Sequence, residues 1–183
     1  MGKLGCVMMA MVALAAAPAA YAVDGISFEI GDSDSSNVSV QRYRVGLQWN
    51  LKKKVFDAGD WHVAGYWDLN FGYWNNRSAA GGSGSIAEVS LTPVLRVQQS
   101  AAAGLSPYAE TGVGLHIVSY SSVSTQRELG TNYQFGSHIG AGVRFGDKRQ
   151  YDIGYRYQHL SNAGIKEPNQ GINFHQLRLQ YHF

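Results

Sequence analysis

The sequence predicts an all-β chain, an eight-stranded antiparallel transmembrane β-barrel, from two observations. Apolar and polar residues alternate with a period of two in eight segments, which indicates strands with one apolar face. Long loops rich in Ser, Asn and Gly alternate along the chain with shorter connections. The 183 residues suffice for one domain, and a net charge of +2 with only 15% charged residues leaves no basic excess for binding nucleic acid.

Residues 1–22 have the form of a secretory signal peptide. Lys3 supplies the positive charge, an apolar run follows it, and Ala20-Tyr21-Ala22 has the small residues that signal peptidase requires. The apolar run is shorter than the roughly 20 residues needed to cross a bilayer. We therefore predict cleavage after Ala22, which leaves residues 23–183 as the outer-membrane barrel domain and removes the single cysteine.

The alternation is clearest in the last two segments. In the eighth, Leu177 and Leu179 occupy one face and Arg178 and Gln180 the other; Tyr155 and Arg156 are divided in the same way in the seventh. The eight segments lie near residues 26–30, 43–49, 61–71, 88–97, 110–117, 135–145, 151–158 and 176–183.

The polar faces carry charges of both signs and many glycines. An eight-stranded barrel has an interior just wide enough for side chains, so glycines and paired charges can fill it. A soluble sandwich with this face in water is the alternative. Aromatic residues near segment ends, and Phe183 on the apolar face, favour the outer-membrane barrel. The charged residues on these faces are Glu29, Arg42, Arg44, Asp68, Glu88, Arg96, Glu110, Arg144, Asp152, Arg156 and Arg178.

Four polar residues interrupt the apolar rows of the last two strands: His159, Ser161, Asn173 and His175. Phe183 should lie near the periplasmic edge, and ten residues of a strand tilted by about 40° climb roughly 25 Å, about the height of the apolar band. These four residues are therefore expected at the outer-leaflet interface, facing lipid.

His159 and Ser161 are two residues apart on one strand, so their side chains leave the same face, with about 6.6 Å between their backbones. A histidine that takes the proton of a serine hydroxyl makes it a nucleophile for acyl transfer. Asn162 and the backbone N–H of Gly164 follow, and can be directed at a developing oxyanion. The alternative is that the interfacial His and Ser only hydrogen-bond lipid head groups.

At these residues the sequence resembles the lipid A 3-O-deacylase (PagL) family of eight-stranded outer-membrane barrels. The resemblance is carried by His159-Leu160-Ser161-Asn162-Ala163-Gly164-Ile165-Lys166, by Pro168-Asn169 and Gly171-Ile172, and by Ile139-Gly140-Ala141-Gly142. It implies Ser161 as nucleophile, His159 as general base, and an oxyanion hole formed by Asn162 and the Gly164 N–H. The implied reaction is hydrolysis of the acyl ester at position 3 of lipid A through an acyl-enzyme, without metal or cofactor.

The sequence departs from the family at the third catalytic position. The usual glutamate falls at Asn173, and the aspartate that some relatives offer falls at Ser137. Asn173 can still accept a hydrogen bond from the ring of His159, although it lacks the charge that stabilises imidazolium, so slower turnover is expected. Glu167 is the second candidate for orienting the histidine, and His175 is predicted to contact a lipid phosphate.

The partners that this prediction implies are lipid A or lipopolysaccharide and the bacterial outer membrane; a homodimer is left open. A non-enzymatic structural or adhesive barrel is the main alternative function. A palmitoyl-transferring barrel would need an apolar interior pocket, and the charged, glycine-rich faces argue against it. The histidines at 62, 116, 138 and 182 fall on these interior faces without the spacing of metal ligands.

Overall fold

The computed structural model describes residues 22–35, 38–52, 56–78, 81, 83–100 and 104–183. The predicted signal peptide lies outside the described residues except for Ala22. The strands are β1 (Gly25–Ser33), β2 (Val40–Asn50), β3 (Phe56–Ala58), β4 (Trp61–Asn76), β5 (Ser85–Gln99), β6 (Ser106–Val118), β7 (Ser122–Ser124), β8 (Arg127–Glu128), β9 (Tyr133–Phe145), β10 (Tyr151–Ser161) and β11 (Ile172–His182).

Eight long strands close into an antiparallel barrel, which confirms the predicted fold. They follow one another around the barrel in the order β1, β2, β4, β5, β6, β9, β10 and β11. The first and last pair with each other, Phe28 opposite Leu179, so the barrel has no open edge. The short strand β3 extends the sheet beside β4, and β7 and β8 form a separate hairpin within the 119–132 connection. In the part of the chain that the structure describes, no helix is long and apolar enough to cross a membrane.

The outer surface of the barrel is apolar, as the alternation predicts. On β11, Leu177 and Leu179 are about half exposed while Arg178 between them is fully buried. The same division holds on the other barrel strands, so hydrocarbon-facing and interior positions alternate. The outward-facing apolar residues include Ile26, Phe28, Val45, Phe71, Val89, Leu91, Val113, Leu115, Ile139, Ile153, Tyr155 and Tyr181.

Buried arginines and carboxylates pair inside the barrel. The Arg156 guanidinium donates to Glu29 Oε1 at 3.0 Å, to Asp68 Oδ2 at 2.8 Å and to Glu110 Oε1 at 2.6 Å. Arg178 donates to the same Asp68 oxygen at 2.8 Å. Because charges this deeply buried are tolerated only when they are paired and hydrogen-bonded, the network holds opposite walls of the barrel in one arrangement.

Removing one member of this network should be costly. Asp68→Ala leaves Arg156 and Arg178 short of a counter-charge, and we expect it to lower the free energy of unfolding by about 3–5 kcal/mol. Urea unfolding of the barrel in detergent micelles, followed by tryptophan fluorescence, measures this. Asp147→Ala, in the exposed turn between β9 and β10, is the matched control and should leave the unfolding free energy unchanged. Equal losses for the two variants would contradict a special role for the interior charges.

The interior turns from charged to apolar at the extracellular end of the barrel. Trp74 and Phe174, both fully buried, pack with their ring centroids 5.0 Å apart. Leu160 belongs to the same cluster, and its neighbours His159 and Ser161 point outward. We call this cluster the apolar plug; it was not predicted, and it anchors the strand ends that carry the candidate site. Its members are Val38, Val40, Trp74, Ile86, Val118, Val123, Leu129, Leu160, Ile172 and Phe174.

Candidate active site

The predicted histidine and serine lie at the extracellular end of β10, on the outer face of the barrel. His159 is exposed and Ser161 is half-buried, whereas Leu160 between them is fully buried in the apolar plug. The alternation of the strand therefore directs both side chains outward. His159 lies opposite Asn173 on β11 and opposite Ser137 on β9.

The structure brings His159 and Asn173 together. Asn173 Oδ1 lies 2.6 Å from His159 Nδ1. When Nδ1–H donates to this oxygen, the histidine is held in the tautomer whose Nε2 is unprotonated. Nε2 is the nitrogen that can accept a proton from a nearby hydroxyl.

Ser161 and His159 lie on the same face of β10. Among the described residues, no hydrogen bond joins these two side chains. Two residues along a strand separate their backbones by about 6.6 Å, a span that an imidazole and a serine side chain can bridge. Catalytic hydrogen bonds are often long in a ligand-free site and shorten when substrate binds. The two side chains can therefore meet as nucleophile and base when the ring turns toward Ser161.

Gly171, the residue before β11, packs against the ring of His159. A Cβ atom added at Gly171 would lie 2.9 Å from His159 Cε1 and 3.0 Å from the Leu160 carbonyl oxygen, and its φ of 59° also favours glycine. The ring is thus held between this glycine and Asn173. The sequence predicts no role for Gly171, although Gly171-Ile172 is part of the family resemblance.

Asn162 and Gly164 are not arranged as the predicted oxyanion donors. The Asn162 side chain is fully buried, and its amide donates to the carbonyl oxygens of Leu129 at 2.9 Å and Lys166 at 2.6 Å. The N–H of Gly164 donates to Asn162 Oδ1 at 2.9 Å, and the N–H of Asn162 donates to Asn169 Oδ1 at 3.0 Å. Both predicted donors are used to shape the 162–171 loop, because the loop folds back over its own backbone.

Glu167, the second candidate for orienting the histidine, is engaged within the loop. Its side chain is exposed, and Oε2 accepts a hydrogen bond from the N–H of Asn169 at 3.0 Å. The contact to His159 is made by Asn173. Asn173 therefore stays the first candidate for orienting His159, and Glu167 the second.

His175 has protein partners at both ring nitrogens. Nδ1 is hydrogen-bonded to the hydroxyl of Tyr155, and Nε2 lies 3.2 Å from Asp34 Oδ2. The ring also packs on Tyr157, with centroids 5.0 Å apart. A phosphate at Nε2 would meet the Asp34 carboxylate, so this arrangement does not support the predicted phosphate contact.

The remaining histidines lie away from this surface. His116 Nδ1 is 2.6 Å from Glu88 Oε1 and His182 Nε2 is 3.3 Å from Asp152 Oδ2, both inside the barrel. Within the described ranges, no group of three His, Cys, Asp or Glu side chains is placed to hold a metal ion.

Comparison with known proteins points to one family. The family described as lipid A 3-O-deacylase (PagL) matches residues 41–182. The chain is 33% identical over 152 residues to the lipid A deacylase PagL of Pseudomonas aeruginosa, covering 83% of this chain and 82% of that protein. It is also 33% identical over 183 residues to the lipid A deacylase PagL of Bordetella bronchiseptica, covering 98% and 94%.

Solved structures agree with the sequence comparisons. The crystal structure of the outer membrane enzyme PagL has a TM-score of 0.74 at 29% identity and covers 87% of this chain and 99% of that one. Neisserial surface protein A has a TM-score of 0.50 at 12% identity, covers 87% and 95%, and shares only the fold.

Proposed function

Because the chain belongs to the lipid A 3-O-deacylase (PagL) family, an outer-membrane β-barrel family, we propose that it hydrolyses the acyl ester at position 3 of lipid A in the outer leaflet. The observation that carries this proposal is an imidazole, oriented through its Nδ1 by Asn173, on the same outward face as Ser161. This face meets the membrane, so the substrate enters laterally from the leaflet rather than through the barrel.

The proposed mechanism has two halves. In the first, His159 Nε2 takes the proton of Ser161 Oγ, Oγ attacks the ester carbonyl, and the sugar oxygen leaves as a hydroxyl with the proton that the imidazolium returns. In the second, His159 deprotonates a water molecule, which attacks the acyl-serine. The fatty acid leaves, and Ser161 recovers its proton. The reaction consumes one water molecule and needs no metal or cofactor.

Asn173 acts in this mechanism as the residue that orients His159. Its oxygen holds Nδ1 protonated, and so keeps Nε2 available as the base. The amide carries no charge to stabilise the imidazolium that forms after proton transfer, and this supports the expectation of slow turnover.

Two substitutions test Asn173 directly. Asn173→Asp keeps the length of the side chain and adds a negative charge beside Nδ1, so we expect kcat to rise by about tenfold. Asn173→Ala removes the acceptor, and we expect kcat to fall by about 10- to 100-fold. Rates of acyl release from purified lipid A in detergent micelles measure both.

Glu167→Ala is the matched control, since this carboxylate is bonded within its own loop. It should keep the wild-type rate. If Glu167→Ala is the slower variant and Asn173→Ala keeps the wild-type rate, the assignment of Asn173 is wrong.

The function itself is tested by mass spectrometry of lipid A from cells that do or do not express the protein. Deacylation predicts a species lighter by one acyl chain, with the sugar hydroxyl at position 3 free. Unchanged lipid A in cells whose outer membrane contains the folded barrel would instead favour a structural or adhesive barrel.

A further inference from the structure

We propose that Arg127, on the β7–β8 hairpin, is a positioning residue for deacylation: it holds the backbone of Gly171 against the ring of His159. The inference rests on the proposed function and adds an element outside β10 and β11 to the catalytic machinery. Three sets of contacts support it.

Arg127 joins the hairpin to the end of the 162–171 loop by hydrogen bonds. Its Nη1 donates to the carbonyl oxygen of Gly171 at 2.6 Å and to that of Gln170 at 3.1 Å. The next residue adds two bonds, because the Glu128 N–H donates to Gln170 Oε1 at 2.6 Å and the Gln170 N–H donates to the Glu128 carbonyl at 3.3 Å. One guanidinium group therefore holds the two residues immediately before β11.

The position of Gly171 determines where the ring of His159 can lie. A side chain at Gly171 would overlap the imidazole, since its Cβ would be 2.9 Å from Cε1 and 3.5 Å from Nε2. Asn173 holds Nδ1, on another side of the ring. If Gly171 withdraws, the ring loses the surface that limits its rotation toward or away from Ser161.

The two residues that follow the hairpin, Leu129 and Gly130, support the other end of the loop, next to Ser161. Leu129 is fully buried in the apolar plug, and its carbonyl accepts a bond from the Asn162 amide at 2.9 Å. Gly130 packs so closely that an added Cβ would lie 2.7 Å from the Lys166 carbonyl oxygen and 2.8 Å from Asn162 Nδ2. The hairpin is thereby fixed to the barrel, and the loop is fixed to the hairpin at both ends.

Displacement of a catalytic group by about 1 Å can cost on the order of 100-fold in rate. Arg127 binds backbone of this chain rather than substrate, so its loss should lower kcat and leave KM almost unchanged. If Arg127 only bound a lipid phosphate, its loss would raise KM instead. The two roles therefore predict different kinetics.

The test compares Arg127→Met with Arg127→Lys and with Arg77→Met. Arg77 is an exposed arginine of the extracellular rim, and it pairs with Asp32 on β1. Two rates are measured on the folded barrel: acyl release from lipid A, and labelling of Ser161 by a small fluorophosphonate. The small reagent carries no lipid A phosphate, so its labelling rate reports the nucleophile and base pair alone. Folding is checked by the difference in gel mobility between heated and unheated barrel.

We expect Arg127→Met to lower kcat and the labelling rate by about tenfold, Arg127→Lys to recover part of both, and Arg77→Met to match wild type. Unchanged labelling with a raised KM would overturn the inference in favour of phosphate binding. Unchanged labelling and kcat would also overturn it. A wild-type protein that neither deacylates lipid A nor labels at Ser161 would overturn the proposed function instead.

A second variant disturbs the contact between this segment and the 162–171 loop without changing the charge of the protein. Gly130→Ala, at a φ of 75°, pushes a methyl group into the loop, and we expect it to lower the labelling rate as Arg127→Met does. Gly81→Ala has a similar φ of 73°, and among the described residues the added Cβ would come no closer than 3.9 Å, to Thr125 Cγ2, so this variant controls for backbone strain. Equal labelling by the two folded glycine variants would contradict the inference.

Discussion

Replacing Ser161 by alanine is expected to abolish deacylation, lowering kcat by about 10⁴-fold or more. The substitution removes the serine hydroxyl that His159 activates in the proposed mechanism, and it leaves the fold intact because the side chain is half-buried at a strand end. Mass spectra of lipid A from cells expressing the variant should match those of cells without the protein.

Ser85→Ala is the matched control for this experiment. Ser85 is an exposed serine at the extracellular end of β5, away from β10 and β11, and its loss should leave the lipid A spectra as in wild type. If the folded Ser161→Ala barrel still removes the acyl chain, then Ser161 is not the nucleophile and the mechanism proposed above is incorrect.

His159→Ala is expected to have the second largest effect, a loss of about 10³- to 10⁴-fold in kcat. Without the imidazole, no group takes the proton of Ser161, and Asn173 loses the ring that it orients. Rates of acyl release in detergent micelles measure the loss. Added imidazole should restore part of the activity of this variant, because a free base can occupy the space that the side chain leaves.

His62→Ala provides the comparison for His159. This residue lies at the start of β4, at the opposite end of the barrel, where its ring bonds Ser100 Oγ at 2.6 Å. The variant should deacylate at the wild-type rate, with or without imidazole. A folded His159→Ala barrel with wild-type turnover would remove the general base from the mechanism.

The barrel and the outward placement of the candidate site residues were predictable because a strand has only two faces. Apolar side chains on one face and charges with glycines on the other determine which way each residue points, so the outward placement of His159 and Ser161 followed from counting along β10. Asn173 was expected beside His159 from the family resemblance, which places the usual glutamate at this position, and the register of β10 and β11 puts the two residues opposite each other.

The extracellular loops were less predictable, because their hydrogen bonds follow no period. Asn162 follows Ser161 directly, and this proximity suggested an oxyanion donor, yet its amide turns inward to Leu129 and Lys166. His175 suggested a phosphate contact, yet Asp34 from the β1–β2 connection occupies its Nε2. In both cases the partner is brought close by the folding of a different segment.

The sequence by itself determined the barrel and the direction of each strand residue, because a period of two encodes both locally, and its resemblance to the family supplied His159 and Ser161 as the proposed pair. Tertiary structure alone decided how the pair is held. Residues distant in the chain come together in the apolar plug, in the hydrogen bond from Arg127 to the Gly171 carbonyl and around the buried Asn162. Such contacts arise only when the loops close over the end of the barrel.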